Sequence, residues 1–194
     1  TKMSHFHFCG HEDYRKRIIQ LGEHQKNIYL VGGMGVEYIK RIRLLNRKTL
    51  EKQIGFRFSD KNLLVTFHPV TLEKNTAKKQ FENLLYVLDK LKETKIIFTM
   101  PNSDAEGRII QKLIINYVSK NKHKSTFFTY MGQKKYLSCL KYVDAVVGNS
   151  SSGIAEAPSF KIGTVNIGDR QKNRVHAKSI INCKPEKKPI LNSL

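Results

Sequence analysis

The chain of 194 residues contains no tryptophan and few cysteines. Its three cysteines, Cys9, Cys139 and Cys183, are far apart and form no metal-binding spacing. An odd, scattered set argues against a disulfide framework and is typical of small buried side chains in a reducing compartment, so we expect a cytoplasmic protein. No apolar run approaches the roughly 20 residues that span a bilayer, so we expect no membrane partner.

Acidic side chains are also scarce. There are 16 of them against 35 lysines and arginines, which gives a formal net charge of +19. A strongly basic domain can bind nucleic acid by displacing counterions from phosphates. The excess here is mostly lysine, and it is spread in small clusters such as Lys78-Lys79 and Lys134-Lys135. Nucleic-acid sites favour arginine with interleaved aromatic side chains, and no such stripe is present. We therefore favour a polyanionic small ligand, with a nucleic-acid-binding module as the alternative.

The two ends of the sequence predict a piece of a longer protein. Thr1-Lys2-Met3 is neither a signal peptide nor a natural start, and the last residues carry no helix cap. Residues 1 to about 31 alternate strand, helix and strand. Gly32-Gly33-Met34-Gly35 then begins a basic helical region without the spacing of a dinucleotide fingerprint. Residues 46–61 are polar and predict a surface helix and loop.

From residue 62 onwards, apolar runs of strand length alternate with amphipathic helices. The pattern predicts strands at 63–67, 95–99, 125–129, 145–147 and 164–167, with helices at 81–91, 109–118 and 136–141. This alternation predicts an α/β fold, a Rossmann-like parallel sheet with helices on both faces. In such a sheet the ligand sits beyond the carboxyl ends of the strands.

The loop after the fourth of these strands has the most specific composition. Gly148-Asn149-Ser150-Ser151-Ser152-Gly153 follows a short apolar run and begins a predicted helix. Backbone N–H groups and the helix dipole at such a turn favour an anion. Glu156, in the first turn of that helix, can accept hydrogen bonds from a sugar diol. Together these features predict a site for a nucleotide-sugar diphosphate.

Polar residues follow other predicted strands at the same edge. His68 precedes a proline, which restricts its backbone to an extended conformation, and its side chain could meet a ligand or satisfy buried carbonyls. Asn102 could line a pocket or be a helix N-cap. Arg170 could hold phosphate through two parallel hydrogen bonds or be a solvated surface residue. Asp104 and Glu106 fit a solvated helix start better than a catalytic pair.

Four segments together carry a resemblance to a known family. They are His68-Pro69-Val70-Thr71, Pro101-Asn102-Ser103-Asp104, Gly148 to Gly153, and Asn166-Ile167-Gly168-Asp169-Arg170-Gln171. In this order they resemble the UDP-N-acetylglucosamine 2-epimerases of the hydrolysing branch, which supply N-acetylmannosamine for sialic acid synthesis. The resemblance covers nearly the whole chain. It implies one half of a two-domain fold of the glycosyltransferase-B type.

The resemblance also implies a division of the chain. Residues 1–31 would be the end of an amino-terminal domain and the connection between domains. Residues 32–182 would be the UDP-binding Rossmann-like domain, and residues 183–194 would be a truncated carboxyl-terminal tail, too short for the final helix that braces the first domain.

Several residues would bind the substrate's diphosphate if the resemblance holds. His68 would stabilise the departing diphosphate, Ser150 and Ser151 would bind phosphate, and Arg170 would lie in the cleft near the phosphates. No metal ion or other cofactor is implied.

Other residues would bind the nucleoside. Glu156 would bind the ribose hydroxyls, the backbone around Tyr130 and Met131 would contact uracil, and Asn102 would line the nucleotide pocket. The expected partner is therefore a UDP-sugar substrate, and the resemblance implies a homo-oligomer for the intact protein.

In the resembling family, UDP leaves by elimination across C1 and C2 of the sugar, and water then adds with inversion at C2. The carboxylates that transfer the protons belong to the family's amino-terminal domain. We therefore expect this chain to bind UDP weakly and to be inactive alone. Two enzymatic alternatives stay open, an epimerase of a related UDP-diacetamido sugar and a UDP-sugar glycosyltransferase of similar architecture.

Overall fold

In the computed structural model, which describes residues 1–70, 73, 75–102 and 106–194, the chain divides into two units, Thr1–Ile42 and Arg43–Leu194. The first unit has two parallel strands, β1 (His7–Cys9) and β2 (Ile28–Leu30), and helices α1 (Glu12–Gln20) and α2 (Met34–Arg41). A short 3-10 helix, Gln25–Asn27, precedes β2. The functional boundaries expected at residues 31 and 182 stay a prediction.

The second unit is built on a six-stranded sheet, and every paired strand in it is parallel to its neighbour. The strands are β3 (Lys61–Thr66), β4 (Thr94–Thr99), β5 (Ser125–Phe128), β6 (Ala145–Gly148), β7 (Gly163–Ile167) and β8 (Ile180–Cys183). The helices are α3 (Arg47–Ile54), α4 (Ala77–Lys90), α5 (Gly107–Lys120), α6 (Gln133–Leu140), α7 (Ser151–Ala155) and α8 (Lys187–Ser193), with a 3-10 helix at Ala157–Phe160. The predicted parallel α/β architecture is confirmed.

The core explains why the central strands are apolar throughout. Leu64 and Val65 of β3 point to opposite faces of the sheet and are both buried, so both faces are covered. Helix α4 presents Phe81, Leu84 and Leu88 to the sheet at helical spacing, and all three are fully buried.

Three parts of the second unit differ from the sequence-based expectation. Strand β8 was not predicted, because it is a short edge strand whose two middle residues are exposed. Residues 46–61 are not simply a surface segment, since Leu50 and Ile54 are buried one helical turn apart. The carboxyl-terminal residues form α8, whose Ile190 is fully buried in the core and which packs against α4.

The strand order places the strands that matter for the site side by side. The order is β5-β4-β3-β6-β7-β8, so the chain changes direction across the sheet between β3 and β6. Ligands of open parallel sheets bind beyond the carboxyl ends of the strands at such a switch point. Among the described residues, no helix has both the length and the apolar character needed to cross a membrane.

Candidate functional site at the carboxyl edge of the sheet

Strand β6 ends in a glycine that no other residue could replace without strain. Gly148 has φ +133°, and a Cβ atom there would lie 1.9 Å from the Thr66 carbonyl oxygen. This close approach lets the Asn149 N–H donate to the same carbonyl, at 3.1 Å. Asn149 is consequently held against the end of β3, and it is only 1% exposed.

The Asn149 side chain fixes the backbone of His68. Asn149 Oδ1 accepts from the His68 N–H at 2.7 Å, and Asn149 Nδ2 donates to the His68 carbonyl at 2.8 Å. This pair of bonds continues the pairing of β3 with β6 beyond the last residues of the strands. Both bonds are buried, so breaking either leaves an unsatisfied polar group at a cost of about 1–3 kcal/mol.

The His68 ring is oriented by a second contact. The Asn102 N–H donates to His68 Nδ1 at 3.2 Å. A ring nitrogen that accepts a hydrogen bond carries no proton, so the ring proton lies on Nε2. His68 therefore carries its N–H donor on Nε2, and the residue is largely buried, 7% exposed. Asn102 is not the N-cap of the following helix, because α5 begins at Gly107 with Glu106 at its N-cap.

Two side chains from the loop after β7 donate to the same backbone oxygen of the loop at residues 148–153, called here the serine loop. Arg170 Nη1 and Gln171 Nε2 both donate to the Asn149 carbonyl, at 3.1 and 2.8 Å. Arg170 is half-buried, so its guanidinium is held against the serine loop and is not a freely solvated surface group. Asn149 thus connects the ends of three neighbouring strands, β3, β6 and β7.

The serines lie at the start of α7. Ser150 is its N-cap, and its hydroxyl accepts from the Ser152 N–H at 3.3 Å. Ser150 and Ser151 are both half-buried at the edge of the sheet. However, α7 has five residues and therefore few aligned peptide dipoles. Any anion site here depends on hydroxyl groups, His68 and Arg170 more than on the helix dipole.

The expected place of Glu156 in the first turn of the helix is wrong: α7 ends after five residues, and Glu156 is its C-cap. A hydrogen-bonded series links α6 to Glu156. The Tyr136 hydroxyl donates to Ser152 Oγ at 2.7 Å, and the Ser152 hydroxyl donates to Glu156 Oε2. Burial is the main cause that raises the pKa of Tyr136 to about 12, and the nearby Glu156 carboxylate raises it further.

The uracil-contacting segment predicted from the resemblance lies farther along the edge. Tyr130 and Met131 follow β5, the outermost strand on that side. Tyr130 is 86% exposed, whereas Met131 is 5% exposed. Among the described residues, no hydrogen bond joins either side chain to the cluster around Asn149.

Glu106 has a structural role. Its two carboxylate oxygens accept from the backbone N–H groups of Asn75 and Ala77, at 2.5 and 3.1 Å. These bonds satisfy donors at the N-terminus of α4, where a negative charge is favourable. Asp104 and Thr71 lie outside the described residues.

Four residues of the two hydrogen-bonded groups, around Asn149 and around Glu156, are not singled out by the sequence analysis. They are Asn149, Gln171, Tyr136 and Ser152. Asn149 and Gln171 lie inside the recognised segments, but a polar residue next to a serine or an arginine gives no sign of burial. Tyr136 had a weaker signal, since nothing in the sequence shows that α6 packs beside α7.

A cavity of about 690 Å³ lies at the same edge, beyond the ends of β7 and β8. Asn166, Gln171 and Arg174 are among the residues that line it. Within residues 1–70, 73, 75–102 and 106–194, no cluster of His, Cys, Asp and Glu side chains could hold a metal ion.

The sheet order and this edge define a Rossmann-like domain of the glycosyltransferase-B type. Solved structures with this fold include a UDP-GlcNAc 2-epimerase from Methanocaldococcus jannaschii in complex with UDP-GlcNAc and UDP. Its TM-score is 0.73 at 16% identity, and the match covers 99% of this chain and 54% of that one. A Neisseria meningitidis UDP-GlcNAc 2-epimerase bound to UDP-GlcNAc has a TM-score of 0.66 at 14% identity, covering 98% of this chain and 51% of that one.

Sequence comparison shows the family. The model of the family UDP-N-acetylglucosamine 2-epimerase matches residues 1–194, and the chain belongs to that family. A Campylobacter jejuni GDP/UDP-N,N'-diacetylbacillosamine 2-epimerase (hydrolyzing) is 44% identical over 94% of this chain and 47% of its own length. The Escherichia coli polysialic acid biosynthesis protein P7 is 37% identical over 100% of this chain and 49% of its own length. The chain spans about half the length of the curated relatives it matches.

Proposed function

We propose that this chain is the UDP-binding half of a hydrolysing UDP-N-acetylglucosamine 2-epimerase. The parent enzyme would release UDP and N-acetylmannosamine for sialic acid synthesis. The observation that carries the proposal is the Asn149 cluster, which gathers His68, Arg170 and the serine loop at the switch point of the sheet. Family membership and the match to a polysialic acid biosynthesis protein support it.

The proposed role in the reaction is stabilisation of the leaving group. When the bond between C1 and the phosphate oxygen breaks, the electron pair stays on that oxygen, and negative charge grows on the diphosphate. His68 Nε2–H, the Arg170 guanidinium and the hydroxyls of Ser150 and Ser151 would donate to it. Because the Asn149 contacts already hold His68 and Arg170 in place, little reorganisation is needed as the charge develops.

The nucleoside would lie along the same edge. Glu156 would accept hydrogen bonds from the ribose hydroxyls, and the backbone around Tyr130 and Met131 would contact uracil. Asn102 would line the nucleotide pocket beside His68. The base that removes the C2 proton would come from the other half of the parent enzyme.

A second substrate has a specific observation in its favour. The Campylobacter jejuni relative, named for a diacetylbacillosamine substrate, is 44% identical, and the protein named for polysialic acid biosynthesis is 37% identical. The alternative proposal is therefore that the parent enzyme epimerises a UDP-diacetamido sugar. The same UDP site serves both substrates, since they differ only in the sugar.

The binding proposal is tested by calorimetric titration of the chain with UDP. Replacing Ser151 by alanine removes one donor to a charged phosphate and should weaken binding about tenfold. Ser159→Ala is the matched control, because Ser159 is an exposed serine in the 3-10 helix after α7. Equal affinities of the two variants would contradict the proposed phosphate site.

Activity is tested separately by following UDP-N-acetylglucosamine and UDP-diacetamido sugar by proton NMR. We expect neither sugar to be released by this chain alone. Release of a free sugar by this chain would show that it contains its own proton-transfer groups and would contradict the division of labour proposed here.

Three free cysteines, with Cys9 and Cys139 buried, support placing the parent enzyme in the reducing cytoplasm, and the family resemblance favours a homo-oligomer.

A further inference from the structure

We infer that Tyr136 and Ser152 position the Glu156 carboxylate for a vicinal diol, so that Tyr136 controls selectivity for ribonucleotides over 2′-deoxyribonucleotides. Tyr136 is a positioning residue in this account, since it acts on the ligand only through Ser152 and Glu156. The inference rests on the proposed function, because the diol is taken to be the ribose of UDP.

The chemistry of the groups fixes the direction of each hydrogen bond. A carboxylate has only acceptors, so the Ser152 hydroxyl must give its single proton to Glu156. Ser152 Oγ can then only accept from Tyr136, whose hydroxyl lies 2.7 Å away. The two bonds form a one-way relay from the tyrosine to the carboxylate.

The donor end of the relay lies beside the end of β3. The Thr66 side chain is near the Tyr136 hydroxyl, and the hydroxyls of Thr66 and Thr99 are hydrogen-bonded to each other across β3 and β4. Since the pKa of Tyr136 is about 12, the hydroxyl keeps its proton at neutral pH and stays a donor. Linked hydrogen bonds of this kind strengthen one another.

The Tyr136 hydroxyl matters because the Ser152 hydroxyl can rotate about its C–O bond, and only a donor to Ser152 Oγ fixes the direction of the Ser152 proton. While Tyr136 donates to Ser152 Oγ, the Ser152 proton is directed at Glu156 Oε2. This bond leaves Oε1 as the acceptor for a ligand hydroxyl, in a fixed orientation. Without the tyrosine hydroxyl, Ser152 and the carboxylate each gain alternative orientations, and the diol loses a preorganised acceptor.

The test compares the affinities for UDP and 2′-deoxy-UDP in the same chain. The wild-type protein should prefer UDP about tenfold, the value of one hydrogen bond to a charged acceptor. Tyr136→Phe should weaken the binding of UDP more than that of 2′-deoxy-UDP, so that the preference falls to about threefold or less. Tyr142→Phe is the matched control, because that tyrosine donates to the Leu45 carbonyl away from the relay. Its preference should equal that of the wild type.

A double-mutant cycle adds a second readout. If Tyr136 acts only through Ser152, Tyr136→Phe should have no further effect on the preference in a Ser152→Ala background. Independent, additive effects would overturn the relay, as would an unchanged preference in Tyr136→Phe or an equal loss for both nucleotides. A wild-type chain that does not bind UDP would overturn the proposed function, and this inference with it.

Discussion

The replacement of Gly148 by alanine tests the geometry on which the whole site depends. A Cβ atom at this position would lie 1.9 Å from the Thr66 carbonyl oxygen, whereas Cβ atoms essentially never approach closer than 3.0 Å. The ends of β3 and β6 would have to separate by about 1 Å. That movement would break the bond from the Asn149 N–H to Thr66 and displace the two bonds between Asn149 and His68.

The expected cost is large for a single methyl group. The left-handed φ of +133° adds strain of about 1–3 kcal/mol to a residue with a side chain. Each buried polar group left without a partner adds about 1–3 kcal/mol. We therefore expect Gly148→Ala to lower the free energy of unfolding by about 3 kcal/mol or more and to abolish UDP binding.

The assay is urea denaturation followed by circular dichroism, with Gly163→Ala as the control. Gly163 begins β7, and a Cβ atom there would have no neighbour within 4 Å. Its replacement should change the free energy of unfolding by no more than about 0.5 kcal/mol, as for most substitutions away from special features. If Gly148→Ala were as mild as Gly163→Ala, the close approach of β6 to β3 would be refuted.

Three further predictions concern individual side chains. Asn149→Asp removes the donor to the His68 carbonyl and should lower the free energy of unfolding by about 2 kcal/mol. Asn192→Asp, at an exposed position, should leave that free energy almost unchanged, and equal urea midpoints for the two variants would contradict the prediction. The raised pKa of Tyr136 means that the folded state holds its proton more tightly than the unfolded state, so stability should fall as pH rises from about 10 to 12. Tyr136→Phe should flatten that fall in alkaline urea titrations, and a fall of unchanged steepness would refute it. Burial raises the pKa of the Cys139 thiol to about 12, so a disulfide reagent should modify half-buried Cys183 first and reach Cys139 only on unfolding; labelling in the reverse order would count against it.

Much of the fold could be predicted because the spacing of apolar residues along the sequence indicates directly which faces are buried. The apolar run of β3 and the helical spacing of Phe81, Leu84 and Leu88 in α4 each match the faces that the structure buries. Strand β8 is not predicted because it is only four residues long, and its two middle residues are exposed. The sequence of α3 predicts a surface element because Leu50 and Ile54 are isolated among polar neighbours.

The site was predictable in its location and less so in its connections. Strand ends followed by polar loops were enough to place His68, Ser150 and Arg170 at one edge. The sequence could not show that a buried asparagine joins them, because Asn149 forms its bonds with residues distant in the chain. For the same reason the link from Tyr136 to Glu156 appears only when α6 and α7 are seen together.

The central claim, that this edge holds UDP, is tested most directly by calorimetric titration with UDP and CDP at low and high salt. The two ligands carry the same diphosphate and ribose and differ only in the base. We predict that UDP binds more tightly than CDP and that this preference persists at high salt. Equal binding of both nucleotides that is lost with added salt would mean that the positive charge of the chain attracts any anion, and would contradict a UDP site at this edge.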